Sequence, residues 1–239
     1  MRVAVMSPTY NERDNVDRFI ECVQSAMPTS DIYFVDDDSP DGTGERVSAH
    51  ADRDGRIRLI ARTGERGYAA ASREGLAAIS AADYDVIVTI DCDLSHDPEV
   101  IPVMLQRIAD GADVVIGSQY VTRGGVENWS FFRRSLSRVG NWYTALMLGV
   151  DVRDCTSGFR AYRTDVIRSG IAASTTSNGY AFLSEVVMRL NGSGRFRVTE
   201  VPITYVDRTA GESKMNKTII SESMRLVTKW GLQRLSGRN

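Results

Sequence analysis

Short apolar runs recur along the first half of the chain, each closed by polar or acidic residues. Arg2 to Met6 reads as a buried strand, broken by SPTYNERDN. Asn15 to Ala26 then places Val16, Phe19, Ile20 and Val23 at helical spacing. The same alternation continues. Strands are expected at Asp31–Val35, Ile57–Ala61, Val86–Ile90 and Asp113–Ile116, and helices from Asp41 to His50, Tyr68 to Ala82 and Glu99 to Ala109. Continuous rather than alternating apolar runs suit strands covered on both faces. Strands alternating with helices predict an α/β fold with a mostly parallel sheet and helices on both sides.

Beyond residue 120 the pattern is less regular. It predicts helices over Phe131–Leu148, Ala181–Leu190 and Thr218–Leu235, and a strand over Val198–Tyr205. No repeat, low-complexity tract or linker interrupts it, so one domain over 1–239 is expected. The segment 217–239 sets Ile219, Ile220, Met224, Val227, Trp230 and Leu235 against Lys217, Arg225, Lys229, Arg234 and Arg238. A cationic amphipathic helix of this kind suits either packing on the domain or contact with a membrane surface or partner.

Composition narrows the function. Apolar residues make up 42% and charged residues 25%, with a formal charge of −2, which gives no basis for nucleic-acid binding. Cys22, Cys92 and Cys155 are odd in number and far apart, as expected of reduced thiols in a cytoplasmic protein. MRVAVMSPTYNE does not read as a signal peptide, and no apolar window reaches the length of a membrane span.

Chemistry concentrates where the strands end. Asp91-Cys92-Asp93 follows an apolar strand directly. Two carboxylates there can hold a hard divalent cation, which would neutralise a diphosphate leaving group. A polar strand end capping a helix is the plainer alternative. Asp36-Asp37-Asp38-Ser39-Pro40-Asp41-Gly42 combines turn chemistry with a carboxylate that can accept from a base or ribose, for which Asp37 is the candidate. Tyr10 and Glu12 lie in the first strand–helix junction, where a ring can stack on a base. No GxGxxG or P-loop pattern follows that strand, which disfavours dehydrogenases and kinases. Arg133, Arg134 and Arg138 on one helix, and Arg208 and Lys214 in VDRTAGESK, are candidates for facing phosphates.

In order, SPTYNE, VDDDSPDGT, DCDLSHDPE, VENWSFFRRSLSR, DCTSGFRAY and VDRTAGESK resemble the dolichol-phosphate (polyprenol-monophosphate) mannose synthases, inverting GT-A glycosyltransferases of the family 2 type. The resemblance runs from about Val3 to Lys214. It implies a Rossmann-like GT-A sheet and transfer of mannose from GDP-mannose to a polyprenyl phosphate with Mg²⁺ or Mn²⁺. By motif, Pro8, Tyr10, Glu12, Val35 and Asp37 would hold the nucleotide, with Asp91, Cys92 and Asp93 completing the nucleotide-sugar site. Asp91 and Asp93 would bind metal, with Ser95 where some relatives use glutamine as a further ligand. Arg133 and Ser137 would meet the acceptor phosphate. Arg208 and Lys214 would meet the donor diphosphate and, with Asp93, carry catalysis.

Two departures lie where an acceptor would approach. Gln119 in Gly117-Ser118-Gln119-Tyr120 stands where the family has an arginine, and Glu65-Arg66-Gly67-Tyr68 replaces a Gly-Leu-Gly-like stretch. A related transferase with another nucleotide sugar or a non-lipid acceptor is therefore the alternative. A hydroxyl acceptor would need a general base, for which Asp154 is the candidate. A nucleotidyltransferase, or a nucleotide-binding protein without catalysis, are more distant readings. The resemblance also implies a protein of the cytoplasmic side, resting peripherally on the membrane or on a membrane partner.

Overall fold

The computed structural model describes residues 1–207 and 217–237. Its centre is a seven-stranded sheet in the order β3-β2-β1-β4-β7-β5-β8. The strands are β1 (Val3–Thr9), β2 (Asp31–Asp36), β3 (Ile57–Ala61), β4 (Val86–Thr89), β5 (Val114–Ser118), β7 (Arg160–Arg163) and β8 (Val198–Pro202). β6 (Gly125–Val126) and β9 (Thr204–Tyr205) pair in parallel as a separate two-stranded ribbon.

Strand alternation sorts the core into two layers. Val3 and Val5 of β1 face one side, with Val16, Phe19 and Val23 of α1 (Arg13–Ala26), Val47 of α2 (Thr43–Ala51) and Met104 of α4 (Ile101–Ala109). Ala4 and Met6 face the other, with Leu76 and Ile79 of α3 (Tyr68–Ser80), Val166 of α6 (Thr164–Arg168) and Phe182 and Val186 of α7 (Ala181–Ser193). α3 lies close on the sheet because Gly75 has no side chain: a Cβ there would stand 2.6 Å from Val35 and 2.7 Å from Met6.

This layering positions the site. α1 and α2 return the chain toward β3 on one face, whereas α3 carries it back on the other face to β4, beside β1. The carboxyl ends of β1 and β4 therefore flank the point where the winding reverses, the general place for a ligand crevice in such sheets.

The structure departs from the sequence expectation in several places, the short β6 and α6 among them. β7 is antiparallel to both β4 and β5 and was not foreseen. Its four residues, RAYR, carry no apolar run. The strand expected over Val198–Tyr205 is broken at Ile203, so that β8 closes the main sheet and β9 joins the ribbon. The helix expected from Glu99 begins as a 3-10 turn at Pro98–Val100, capped by Asp97 through a 3.0 Å bond from the Glu99 amide.

α5 (Phe131–Leu148) starts on the side chain of Ser130 and stops at Gly149, in the left-handed region at φ 67°. α8 (Lys217–Leu235) packs along it: Tyr143 and Thr228 share a 2.8 Å hydroxyl contact, and Arg234 donates to the carbonyls of Met147 and Leu146.

Candidate active site

β1 delivers Pro8 and Thr9, and the junction into α1 delivers Tyr10 and Glu12 to one cleft. Asp37, Tyr68, Ala71, Asp91, Cys92, Asp93 and Tyr180 complete its lining, around a cavity of about 80 Å³. Seven of the predicted nucleotide-sugar residues thus meet across the β1–β4 crevice. Val35 does not line it; the side chain is fully buried beneath, against α3.

Three adjacent aspartates take three roles. Asp36 builds the turn, accepting from the Ser39 amide (3.0 Å), Ser39 Oγ (2.6 Å) and Thr9 Oγ1 (3.2 Å). Asp37 faces the cleft, paired with the buried Arg62 and accepting from the Gly67 amide at 2.6 Å. Asp38 pairs at the surface with Arg66, 2.6 Å away, whose guanidinium lies 5.5 Å from the Tyr10 ring centroid. Arg62 also bonds Glu74 at 2.9 Å, so the charge beside Asp37 is shared.

A second cavity of about 210 Å³ opens beside the first. Its walls include His96, Gln119, Trp129, Arg133, Ser137, Asp154, Thr156, Ser157, Gly158 and Tyr205. The two cavities share Tyr68, Asp91, Asp93 and Tyr180. The Tyr68 and Tyr180 rings stack at 4.9 Å. Gly158 permits that meeting point, since a Cβ there would stand 2.8 Å from the Tyr68 hydroxyl and 3.5 Å from Asp91 Oδ1.

The turn after β4 is tight. Asp93 is buried and accepts from the Ser95 amide at 3.0 Å, across Leu94 at φ 56°. A leucine in the left-handed region is uncommon and points to a constraint on this turn. Ser95 itself lines neither cavity, and its hydroxyl lies 3.4 Å from His96 Nδ1. Among the described residues no group of three or more His, Cys, Asp or Glu side chains is arranged to hold a metal. The Asp91–Asp93 pair fits a divalent ion of the kind that takes one or two carboxylates and completes its shell with substrate phosphates and water.

The loop that closes the second cavity is set by two buried charges. Arg160 is wholly buried and donates to the carbonyls of Ser157 (2.8 Å), Cys155 (3.1 Å) and Leu183 (3.1 Å). Asp154 accepts from the Ser157 amide (3.0 Å), the Thr156 amide and hydroxyl (3.2 Å each) and the Gln119 amide (3.3 Å). Burial lifts the Asp154 carboxyl to about 6, against the pull of those bonds. Burial likewise drives His96 down to about 4, so it is neutral near pH 7, and the nearby Asp93 only partly opposes this.

The predicted acceptor residues are brought together but engaged with one another. Gln119 Nε2 donates to Tyr120 Oη at 3.0 Å, and that hydroxyl meets Ser137 Oγ at 2.6 Å and Asn141 Nδ2 at 3.1 Å. Gln119 Oε1 is buried without a partner among the described residues. Arg133 pairs with Asp207 at 3.0 Å and lies over Trp129 at 3.9 Å. Arg208 and Lys214 lie outside the described residues.

Sequence reasoning passed over Arg62, Tyr68, Trp129, Tyr180 and Asp207 as site residues. Tyr180 carried no local motif of its own, and Trp129 stood in VENWSFFRRSLSR without a role assigned to it. Arg62 became visible only once the sheet set it beside Asp37.

α5 also carries an unusual outer face. Phe131, Phe132, Leu136, Val139, Trp142 and Leu146 are all exposed, Phe131 by 86% and Trp142 by 64%. At 3.6 residues per turn they fall within about 140° of arc. Asn141, Thr144 and Leu148 are buried on the opposite side. α8 contributes exposed Ile220, Leu232 and Leu235, while its Val227 is buried. Among the described residues no helix is long and apolar enough to cross a membrane.

The family model for glycosyl transferase family 2 matches residues 4–170. The chain is 40% identical to an undecaprenyl-phosphate mannosyltransferase of Micrococcus luteus, over 97% of this chain and 95% of that one. It is 41% identical to a polyprenol monophosphomannose synthase of Mycolicibacterium smegmatis, over 97% and 88%. It is 36% identical to a dolichol-phosphate mannosyltransferase of Pyrococcus furiosus, over 96% of this chain and 64% of that longer one. The fold is shared with a glucosyl-3-phosphoglycerate synthase of Mycobacterium tuberculosis, solved with Mn²⁺, UDP and phosphoglyceric acid. That likeness has a TM-score of 0.68 at 18% identity, over 98% of this chain and 78% of the other.

Proposed function

The chain belongs to glycosyl transferase family 2, and on that premise we propose that it transfers mannose from GDP-mannose to a polyprenyl phosphate at a membrane surface. The observation that carries the reading is the meeting of two cavities on one carboxylate pair, Asp91 and Asp93. The nucleotide occupies the cleft of Tyr10, Glu12 and Asp37. The sugar then lies past Tyr68 and Tyr180, facing the cavity that holds Arg133 and Ser137.

Asp91 and Asp93 would hold Mg²⁺ or Mn²⁺ beside the donor diphosphate, where the ion would neutralise the departing charge. Arg208 and Lys214 are assigned to the same diphosphate by the VDRTAGESK motif alone. An acceptor phosphate oxygen attacks the anomeric carbon from the side opposite the diphosphate. The carbon–oxygen bond to the diphosphate breaks with its electron pair, and the configuration inverts.

The acceptor chemistry follows from Asp154. A hydroxyl acceptor needs a base to take its proton; in Asp154, the candidate, Oδ1 is engaged by Thr156 and Ser157 and, among the described residues, Oδ2 by the Gln119 amide alone. A phosphate monoester is already anionic at neutral pH, with its second pKa near about 6, and needs orientation instead. Arg133 supplies positive charge at the cavity where Gln119 has none.

The α5 face supports a lipid surface as the docking site. Six exposed apolar side chains stand beside Arg134 and Arg138, and the same helix lines the acceptor cavity through Arg133 and Ser137. A helix so arranged lies in the interface of an anionic membrane, which is where a polyprenyl tail resides. α8, within the segment 217–239, packs along α5 and also exposes Ile220, Leu232 and Leu235, so it adds to the proposed surface.

Donor choice is tested by measuring nucleoside diphosphate release from GDP-mannose and from UDP-glucose, with and without a short polyprenyl phosphate. Acceptor-stimulated release of GDP supports the reading. Stimulated release of UDP alone moves the protein to another donor.

A further inference from the structure

Asp207 lies two residues beyond the end of β9 and directly precedes Arg208, and neither the motifs nor the mechanism above gives it a role. Its two oxygens reach different groups of the acceptor wall. Oδ1 accepts from Trp129 Nε1 at 2.9 Å, and Oδ2 accepts from Arg133 Nη1 at 3.0 Å. The Arg133 guanidinium carbon lies over the same indole, 3.9 Å from the ring centroid. Carboxylate, indole and guanidinium thus form a closed triangle.

Stability does not account for the triangle. Arg133 is 51% exposed and Asp207 39%, and an ion pair this wet adds little to folding. The triangle does restrain a long, rotamer-rich side chain. It consumes one of the five guanidinium donors and leaves the others for a second anion.

The anchor is itself fixed. The β6–β9 ribbon sets Val126 opposite Tyr205, and the Glu127 amide donates to the Tyr205 carbonyl at 2.9 Å. The Val206 amide donates to the Ser95 carbonyl at 3.0 Å, which ties the segment to the turn after Asp93. The Tyr205 ring packs edge-on against His96 and Trp129, at 5.4 and 5.5 Å. The position of Asp207 is therefore referenced to the turn that carries the Asp91–Asp93 pair.

We infer that Asp207 is a positioning residue that presents Arg133 to the anionic end of the acceptor, in register with the donor carboxylates. The inference rests on the reading that a phosphate acceptor is held at Arg133. Asp207 itself does not touch substrate in this account; it acts through Arg133 and Trp129.

The test compares wild type with Asp207→Ala, Asp207→Asn, Asp207→Glu, Arg133→Ala and the Asp207→Ala/Arg133→Ala double variant. KM is measured for a short polyprenyl phosphate and for GDP-mannose, and acceptor binding is measured by calorimetry without donor. Asp207→Ala should raise acceptor KM and Kd by about tenfold, within the range for coupled neighbours, and leave donor KM unchanged. Glu should restore part of the loss and Asn less, because Asn accepts hydrogen bonds without charge. In the Arg133→Ala background the Asp207→Ala change should have no further effect. An unchanged thermal midpoint certifies that each variant is folded.

Wild-type acceptor KM in Asp207→Ala overturns the inference. So does an equal loss with and without Arg133, or a loss confined to the donor. Arg133→Ala with wild-type acceptor KM overturns the acceptor reading itself, and the inference with it.

Discussion

Asp154 illustrates how much of the site depends on burial rather than residue type. Its carboxyl is lifted to about 6 from an ordinary 3.8 because it is enclosed. A folded-state pKa above the unfolded one means that the folded protein binds the proton more tightly. The associated stability is fully present below pH 3.8 and is lost as pH rises through 6. The difference of roughly two units corresponds to about 3 kcal/mol. Urea unfolding of wild type and Asp154→Asn should therefore show wild type losing ground to the variant by about that amount between pH 4 and pH 7.5. A difference that does not change with pH would place the Asp154 pKa near its ordinary value. The sequence offered Asp154 as a candidate base, yet could not show that Oδ1 holds the loop of Thr156 and Ser157 while Oδ2 accepts from the Gln119 amide. The same limit applies to Asp36, Asp37 and Asp38. Three identical letters become a turn brace, a cleft carboxylate and a surface ion pair only through Ser39, Arg62 and Arg66.

At the scale of elements, the parallel half of the sheet was legible because its strands are buried on both faces and read as continuous apolar runs. β7 was not, because Arg160 and Arg163 occupy half of it. Arg160 is tolerated at full burial only because backbone carbonyls from two segments receive its donors, and that is a tertiary fact. For α8 the sequence left packing and surface contact both open, because cationic amphipathic periodicity is the same whether a helix meets lipid or another helix. In the structure α8 buries Val227 yet exposes Ile220, Leu232 and Leu235, while α5 exposes Trp142 and Val139. Val139→Glu with Trp142→Glu should abolish sedimentation with anionic vesicles while leaving turnover on a detergent-dispersed short acceptor within about twofold, since surface substitutions of this kind act locally. Undiminished vesicle binding would remove α5 as the lipid-facing surface.

For the whole molecule, the order of strands does most to create function. Because the winding reverses between β1 and β4, the loops after β1, β2 and β4 converge on one crevice. The ribbon of β6 and β9 and the loop of 154–158 then enclose a second cavity against the same carboxylates. The strand-end acids disclosed the first cavity in the sequence. The second is assembled from segments scattered between His96 and Tyr205, and only the fold brings them together.

The most direct measurement is product analysis with purified protein, GDP-mannose, Mg²⁺ or Mn²⁺ and a short polyprenyl phosphate, beside an Asp93→Ala control. The account predicts a polyprenyl phosphate-linked mannose of inverted anomeric configuration, lost in the control. A protein that binds or hydrolyses the donor yet forms no lipid-linked mannose, or forms it equally well without Asp93, would contradict it.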